Sequence, residues 1–125
     1  MQNYKDLKVW EKAHSFTVKV YEDTRLFPKE ELYSLTNQLR RAASSIPANI
    51  AEGCGKNTNL DFANFLNIAL GSANESEYFL ILSKDLFYLT QEKFDPQFIL
   101  VNQVKGMLIS LINKVRSQTT KNPNA

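Results

Sequence analysis

Glycine and proline are scarce, four of each among 125 residues, which is roughly half of average usage. An all-β sandwich or barrel needs a turn signal every ~8–12 residues, so punctuation this sparse excludes that class and points to a few long helices. Cysteine occurs once, as Cys54, and histidine once, as His14. A lone cysteine forms no intrachain disulfide, and one residue of each kind cannot supply a structural zinc site. Cys54 with His14 is the only thiol–imidazole pair available, and nothing beyond its Gly-Cys-Gly turn marks Cys54 as an activated thiol. Glu11 and His14 make a single Glu-x-x-His, where di-iron bundles need two plus further carboxylates. No Gly-rich loop follows a strand-like segment, which removes a nucleotide-phosphate cradle. No uninterrupted apolar run approaches the ~18 residues of a membrane span, and the first residues lack the apolar core of a secretory signal. The expectation is a cytoplasmic, reduced setting with no membrane partner, no cofactor and no metal. Charge of one sign is lacking too: the net charge is +2, too balanced to announce a nucleic-acid partner by itself.

What is present is an ordinary globular composition, 43% hydrophobic and 22% charged, enough for one buried core. Periodicity and stop signals outline four helices. The first is expected over residues 6–25, with Trp10, Ala13, Thr17, Val20, Tyr21 and Thr24 on one face. Pro28 ends it, and Lys29-Glu30-Glu31 open the second, which carries Leu35, Leu39, Ala42, Ala43, Ile46 and Ile50 and stops at Gly53-Cys54-Gly55. Pro47 inside this pattern removes a backbone donor and is expected to kink the helix or restart it near Ala48. The third runs over residues 60–89 with Thr58 or Asn59 as its cap. The fourth is expected to begin at Asp95-Pro96 and carries Leu100, Val101, Val104, Leu108, Leu111, Ile112 and Val115. Short loops favour antiparallel neighbours, hence an all-α, up-down-up-down antiparallel four-helix bundle over residues 1–117, with 118–125 a disordered tail.

Two patterns exceed what a monomeric bundle needs. The third helix buries Phe62, Phe65, Leu66, Ala69, Ala73 and Leu80, yet its far side carries Ile68, Gly71, Phe79, Leu82, Leu86 and Leu89. A helix apolar on two faces is fully buried or shared with another subunit, so self-association is expected. On the second helix, Gln38, Arg41, Ser45, Asn49 and Glu52 fall within roughly 80° of one another beside the apolar seam. Either this is a solvated face, or it is a hydrogen-bonded network in which Arg41 meets Glu52, Asn49 satisfies groups freed by Pro47, and Glu75 joins from the third helix. Arg40, opposite the seam, is expected to be exposed. The basic residues divide between the first helix (Lys5, Lys8, Lys12) and the fourth (Lys105, Lys114, Arg116), and their sharing a pole is not assured. They are solvated faces, or a patch that a closed ring would repeat about its axis.

The stretch from Leu35 through Arg40-Arg41-Ala42-Ala43 and Ile46-Pro47-Ala48-Asn49-Ile50-Ala51-Glu52-Gly53 closely resembles the signature of the bacterial four-helix-bundle family encoded in 23S rRNA intervening sequences. Asp6-Leu7-Lys8-Val9-Trp10, Phe27-Pro28-Lys29-Glu30-Glu31, Phe65-Leu66-Asn67-Ile68-Ala69 and Gly71-Ser72 with Glu75 are similar to it as well. The resemblance implies a homo-oligomeric bundle, typically pentameric, with no known enzyme activity. A related branch, accessory proteins of diversity-generating retroelements, implies basic barrels that bind nucleic acid and a reverse transcriptase. Gln38, Arg41, Asn49, Glu52, Gly71, Ser72 and Glu75 match the family's pattern positions, and with Phe79 they form the expected polar network or oligomer interface. Leu70 departs from the pattern where the family often has a basic residue, and Cys54 where it is often aromatic or otherwise apolar. The resulting expectation is a non-enzymatic pentameric bundle that binds RNA or DNA through Lys5, Lys8, Lys12, Arg40, Lys105, Lys114 and Arg116. The alternative is a protein-interaction scaffold or accessory subunit of a nucleic-acid enzyme.

Overall fold

In the computed structural model, which describes the backbone over residues 2–121 and side chains through residue 118, apolar residues spaced three and four apart build four helices. These are α1 (Lys8–Thr24), α2 (Leu35–Cys54), α3 (Asn59–Asp85) and α4 (Gln91–Lys121). Each packs against its two neighbours in a closed cycle, α1 on α2, α2 on α3, α3 on α4 and α4 back on α1, and among the described residues the backbones of diagonal helices do not approach one another within 8 Å. The α1–α4 seam is the lightest of the four. The core stripes are Val9, Ala13, Phe16 and Val20 from α1, and Leu39, Ala43, Ile46 and Ile50 from α2. Leu66, Ala69, Ala73 and Leu80 come from α3, and Val101, Val104, Leu108 and Ile112 from α4. Each follows the heptad-like spacing of a bundle seam. α4 has the length and mean hydropathy of a membrane span, but its apolar stripe is one side of this core.

The α1 stripe differs from the expectation: Val9 and Phe16 are buried, while Trp10 and Thr17 are half-buried and Tyr21 is exposed. A shift of one position rotates the face by ~100°. α1 is preceded by a single 3-10 turn at Tyr4–Asp6, and another at Lys29–Glu31 replaces the expected opening of the second helix, which starts at Leu35. Thr58 caps α3, its hydroxyl accepting from the Asp61 amide at 3.1 Å. Gly53 lets the end of α2 meet the start of α3, since a Cβ there would lie 2.9 Å from Phe65 Cβ.

α3 ends at Asp85 rather than near Leu89. Phe87 takes a left-handed φ of 64°, with the Tyr88 amide donating to the Ser83 carbonyl at 2.9 Å and the Phe87 amide to the Lys84 carbonyl at 3.0 Å. This is the double closure that usually employs glycine. The turn sends Leu89 into the core, so Leu89 leaves the outward stripe to which the sequence assigned it. α4 starts five residues before Pro96, with Thr90 Oγ1 accepting from the Lys93 amide at 3.4 Å. Pro96 forfeits only the bond to the carbonyl of Glu92, an exposed residue near the helix start where water can serve. α4 continues to Lys121, past the expected end of the bundle; residues 122–125 of the expected tail lie outside the described residues.

Pro47 neither breaks nor restarts α2, which is continuous around it. Its missing amide leaves the Ala43 carbonyl without its helical donor, and Thr17 Oγ1 of α1 lies 3.0 Å from that oxygen. The freed group is thus served from a neighbouring helix and not by Asn49.

Candidate interaction surfaces

The polar stripe of α2 resolves into two groups. Asn49 Nδ2 donates to the Ser45 carbonyl at 2.8 Å and to Ser45 Oγ at 2.9 Å, and Ser72 Oγ on α3 donates to Ser45 Oγ at 2.9 Å. One turn or more away, Gln38, Arg41, Glu75 and Phe79 line a shallow hollow of about 180 Å³ together with Asn37. Arg41 and Glu52 are both exposed and not ion-paired with each other, and Glu75 makes no ion pair with Arg41. Their separation along the helix is eleven residues, about 16 Å, too far for one side chain to reach the other. A helical wheel shows angle and hides height, which is why the pairing looked available. Ser45, in the sequence one member of the stripe among five, is the bridge between α2 and α3.

Beside these groups α3 presents its outward apolar stripe. Ile68 is 52% exposed and Leu86 43%, with Ile81 and Tyr78 exposed nearby and Phe79 and Leu82 half-buried. Gly71 sits in this stripe, one residue before Ser72, and a Cβ placed on it would meet nothing within 4 Å. No internal contact therefore requires glycine there, although mid-helix glycine costs ~1 kcal/mol relative to alanine.

The basic residues are sorted differently from the expectation. Arg40 is half-buried: its Nε donates to Thr24 Oγ1 at 2.8 Å and its guanidinium lies 4.9 Å from the Tyr21 ring centre. The flank of α2 carrying Arg40 faces α1, which the single-helix wheel did not include. Lys105 pairs with Glu77 of α3 at 3.0 Å. Lys5, Lys8, Lys114 and Arg116 are exposed, and Lys12 is half-buried with its Nζ 3.3 Å from Gln103 Oε1. In a closed antiparallel cycle the start of α1 lies beside the end of α4, so Lys8, Lys12 and Lys114 line one groove of about 670 Å³. The shared pole that the sequence left open is a consequence of an even number of antiparallel helices.

Catalytic chemistry finds little footing. Cys54 is buried, and burial pushes its thiol up, away from the thiolate a nucleophile needs. His14 is exposed and stacks on Trp10 at 5.0 Å. Among the described residues no three His, Cys, Asp or Glu side chains are placed to hold a metal ion. At the opposite pole Tyr88 Oη donates to Glu31 Oε2 at 2.9 Å. That bond holds the Glu31 carboxyl below its ordinary range and raises the Tyr88 phenol, tying the α1–α2 loop to the turn before α4.

Comparison with known proteins agrees with the resemblance. The pattern described as 23S rRNA-intervening sequence protein matches residues 5–110. Among solved structures the chain is similar to a protein of unknown function from the S23 ribosomal protein family of Bacteroides thetaiotaomicron, with a TM-score of 0.77 and 33% identity. The match covers 83% of this chain and 97% of that one. No curated protein matches.

Proposed function

Because the chain belongs to the 23S rRNA-intervening sequence protein family, we propose that it works without catalysis in the cytoplasm, as a homo-oligomeric bundle of the pentameric kind. Its copies join through the α2–α3 face. The observation that carries this reading is the outward stripe that runs along α3 to its C-cap, with Ile68 and Leu86 in water and Gly71 open to close approach. An apolar face that the bundle leaves uncovered, rimmed by the exposed polar residues Gln38, Arg41 and Glu75, has the composition of a surface between subunits. Light scattering at micromolar concentration is expected to give a mass several times 14.3 kDa, and Ile68→Glu is expected to reduce it to a single chain. A monomer in the unaltered protein, under conditions where its fold is intact, overturns the reading.

A second reading, binding of RNA or DNA, is favoured by the gathering of Lys5, Lys8, Lys12 and Lys114 at one pole, which a ring would repeat. Arg40 and Lys105 add little to it, being engaged within the bundle. Nucleic-acid affinity that falls steeply with salt supports this reading, because each neutralised phosphate releases counterions. The scaffold alternative, in which the bundle carries a protein partner, turns on what the groove between α1 and α4 accepts.

A further inference from the structure

The groove between α1 and α4 has a composition that a phosphate backbone does not call for. Its floor is apolar, with Leu7 at the N-cap of α1, Val9 in α1 and Met107 and Leu111 from α4, and Lys8 and Lys12 line one wall and Lys114 the other. Among the described residues no acidic and no aromatic side chain lines it, so bases would find no stacking platform and phosphates would leave the floor uncovered. Glu11 lies outside, on a neighbouring hollow that shares Lys8 and Lys12. Gly106 stands in the α4 wall, where an added Cβ would meet nothing within 4 Å, so another backbone can come close. Met107 beside it is a side chain that adapts to differing apolar shapes. From Gln103 to Lys114 the wall measures eleven residues, about 16 Å or three helical turns.

The geometry points to a docking site for an acidic amphipathic helix of a protein partner, laid in the α1–α4 groove. Its apolar side chains at i, i+4 and i+7 cover the Leu7, Met107 and Leu111 floor, and its carboxylates flank them to meet Lys8, Lys12 and Lys114. Gly106 permits close approach of the incoming helix. The proposal rests on an assembly in which the α2–α3 face of one copy meets a patch of the next other than this groove.

The test uses the full chain and three labelled, lactam-stapled peptides about three turns long: a leucine–glutamate amphipath, its lysine-for-glutamate counterpart and a scrambled glutamate control. Fluorescence anisotropy is expected to show the acidic amphipath binding at least ~10-fold tighter than the other two, with affinity falling as salt rises. Gly106→Phe fills open space in the groove and is expected to weaken binding by ~10-fold or more with an unchanged circular-dichroism spectrum. The double reversal Lys8→Glu, Lys114→Glu, at two exposed positions, is expected to invert the preference between acidic and basic peptides. Equal binding of the three peptides, or indifference to Gly106→Phe, overturns the proposal. So does loss of self-association in Gly106→Phe, which would make the groove a contact between copies. An oligouridine that binds the lysines more tightly than the acidic peptide and ignores Gly106→Phe overturns it in favour of nucleic acid.

Discussion

Pro47 has no amide hydrogen, so the Ala43 carbonyl four residues earlier depends on the Thr17 hydroxyl, which also lies 3.0 Å from the Ala13 carbonyl of its own helix. A buried carbonyl left without a donor costs about 1–3 kcal/mol, so Thr17→Val, which keeps the shape and removes the hydroxyl, is expected to destabilise by ~1–2 kcal/mol. Pro47→Ala restores the helical donor, and in that background the same substitution is expected to cost much less; equal losses in urea melts of both backgrounds would refute the pairing. Phe87 offers the converse case. Its left-handed backbone costs a non-glycine residue ~1–2 kcal/mol, and with the side chain 93% exposed little burial offsets it. Phe87→Gly is therefore expected to raise stability by ~1 kcal/mol, and a lower urea midpoint would show that the ring contributes something its exposure conceals.

Between elements, the Glu31–Tyr88 hydrogen bond joins two loops whose Phe27 and Tyr88 rings also meet, at 5.7 Å. For a carboxyl held low, the stabilisation is present above the unfolded pKa and is lost as pH falls through the lower folded value. For a phenol held high, it is present below the unfolded pKa of about 10 and is lost as pH rises through the folded value. Tyr88→Phe is accordingly expected to lower Tm at neutral pH, with the gap from the unaltered protein closing toward both acid and alkaline pH. A gap independent of pH would mean that the phenol contributes only packing. The α2 core stripe was fully legible in the sequence, because Leu35, Leu39, Ala42, Ala43, Ile46 and Ile50 all keep strict helical spacing and all are buried. The α1 stripe was displaced because Trp10 and Tyr21, large and apolar, attract assignment to the core although their polar edges suit its margin. The end of α3 was hidden because no glycine or proline marks a turn that Phe87 makes, and the start of α4 because Asp95-Pro96 is a stronger textual signal than Thr90. Arg40 and Arg41 were exchanged in expected role: a wheel drawn for one helix cannot show that one flank of α2 meets α1 while the other borders the α3 hollow.

At the scale of the whole molecule, composition and periodicity were enough for the four-helix cycle, while the surfaces required the assembled geometry. Three of the four glycines lie inside helices, and two of these, Gly71 on α3 and Gly106 on α4, sit where an added Cβ would touch nothing. They mark opposite uses of the surface, a face proposed for copies of the chain and a groove proposed for a partner. The same cycle brings Gln2 and Gln118 to the lining of one hollow at the pole of the α2–α3 loop. A pulling force applied at these two ends would therefore act across the α1–α4 seam, the lightest in the bundle, and would unzip it turn by turn from that pole without shearing the helices along their lengths. The groove lies on this line of first rupture, so a helix seated in it would act as a mechanical clasp, bridging the two strands of the load path at the point where the fold yields most easily.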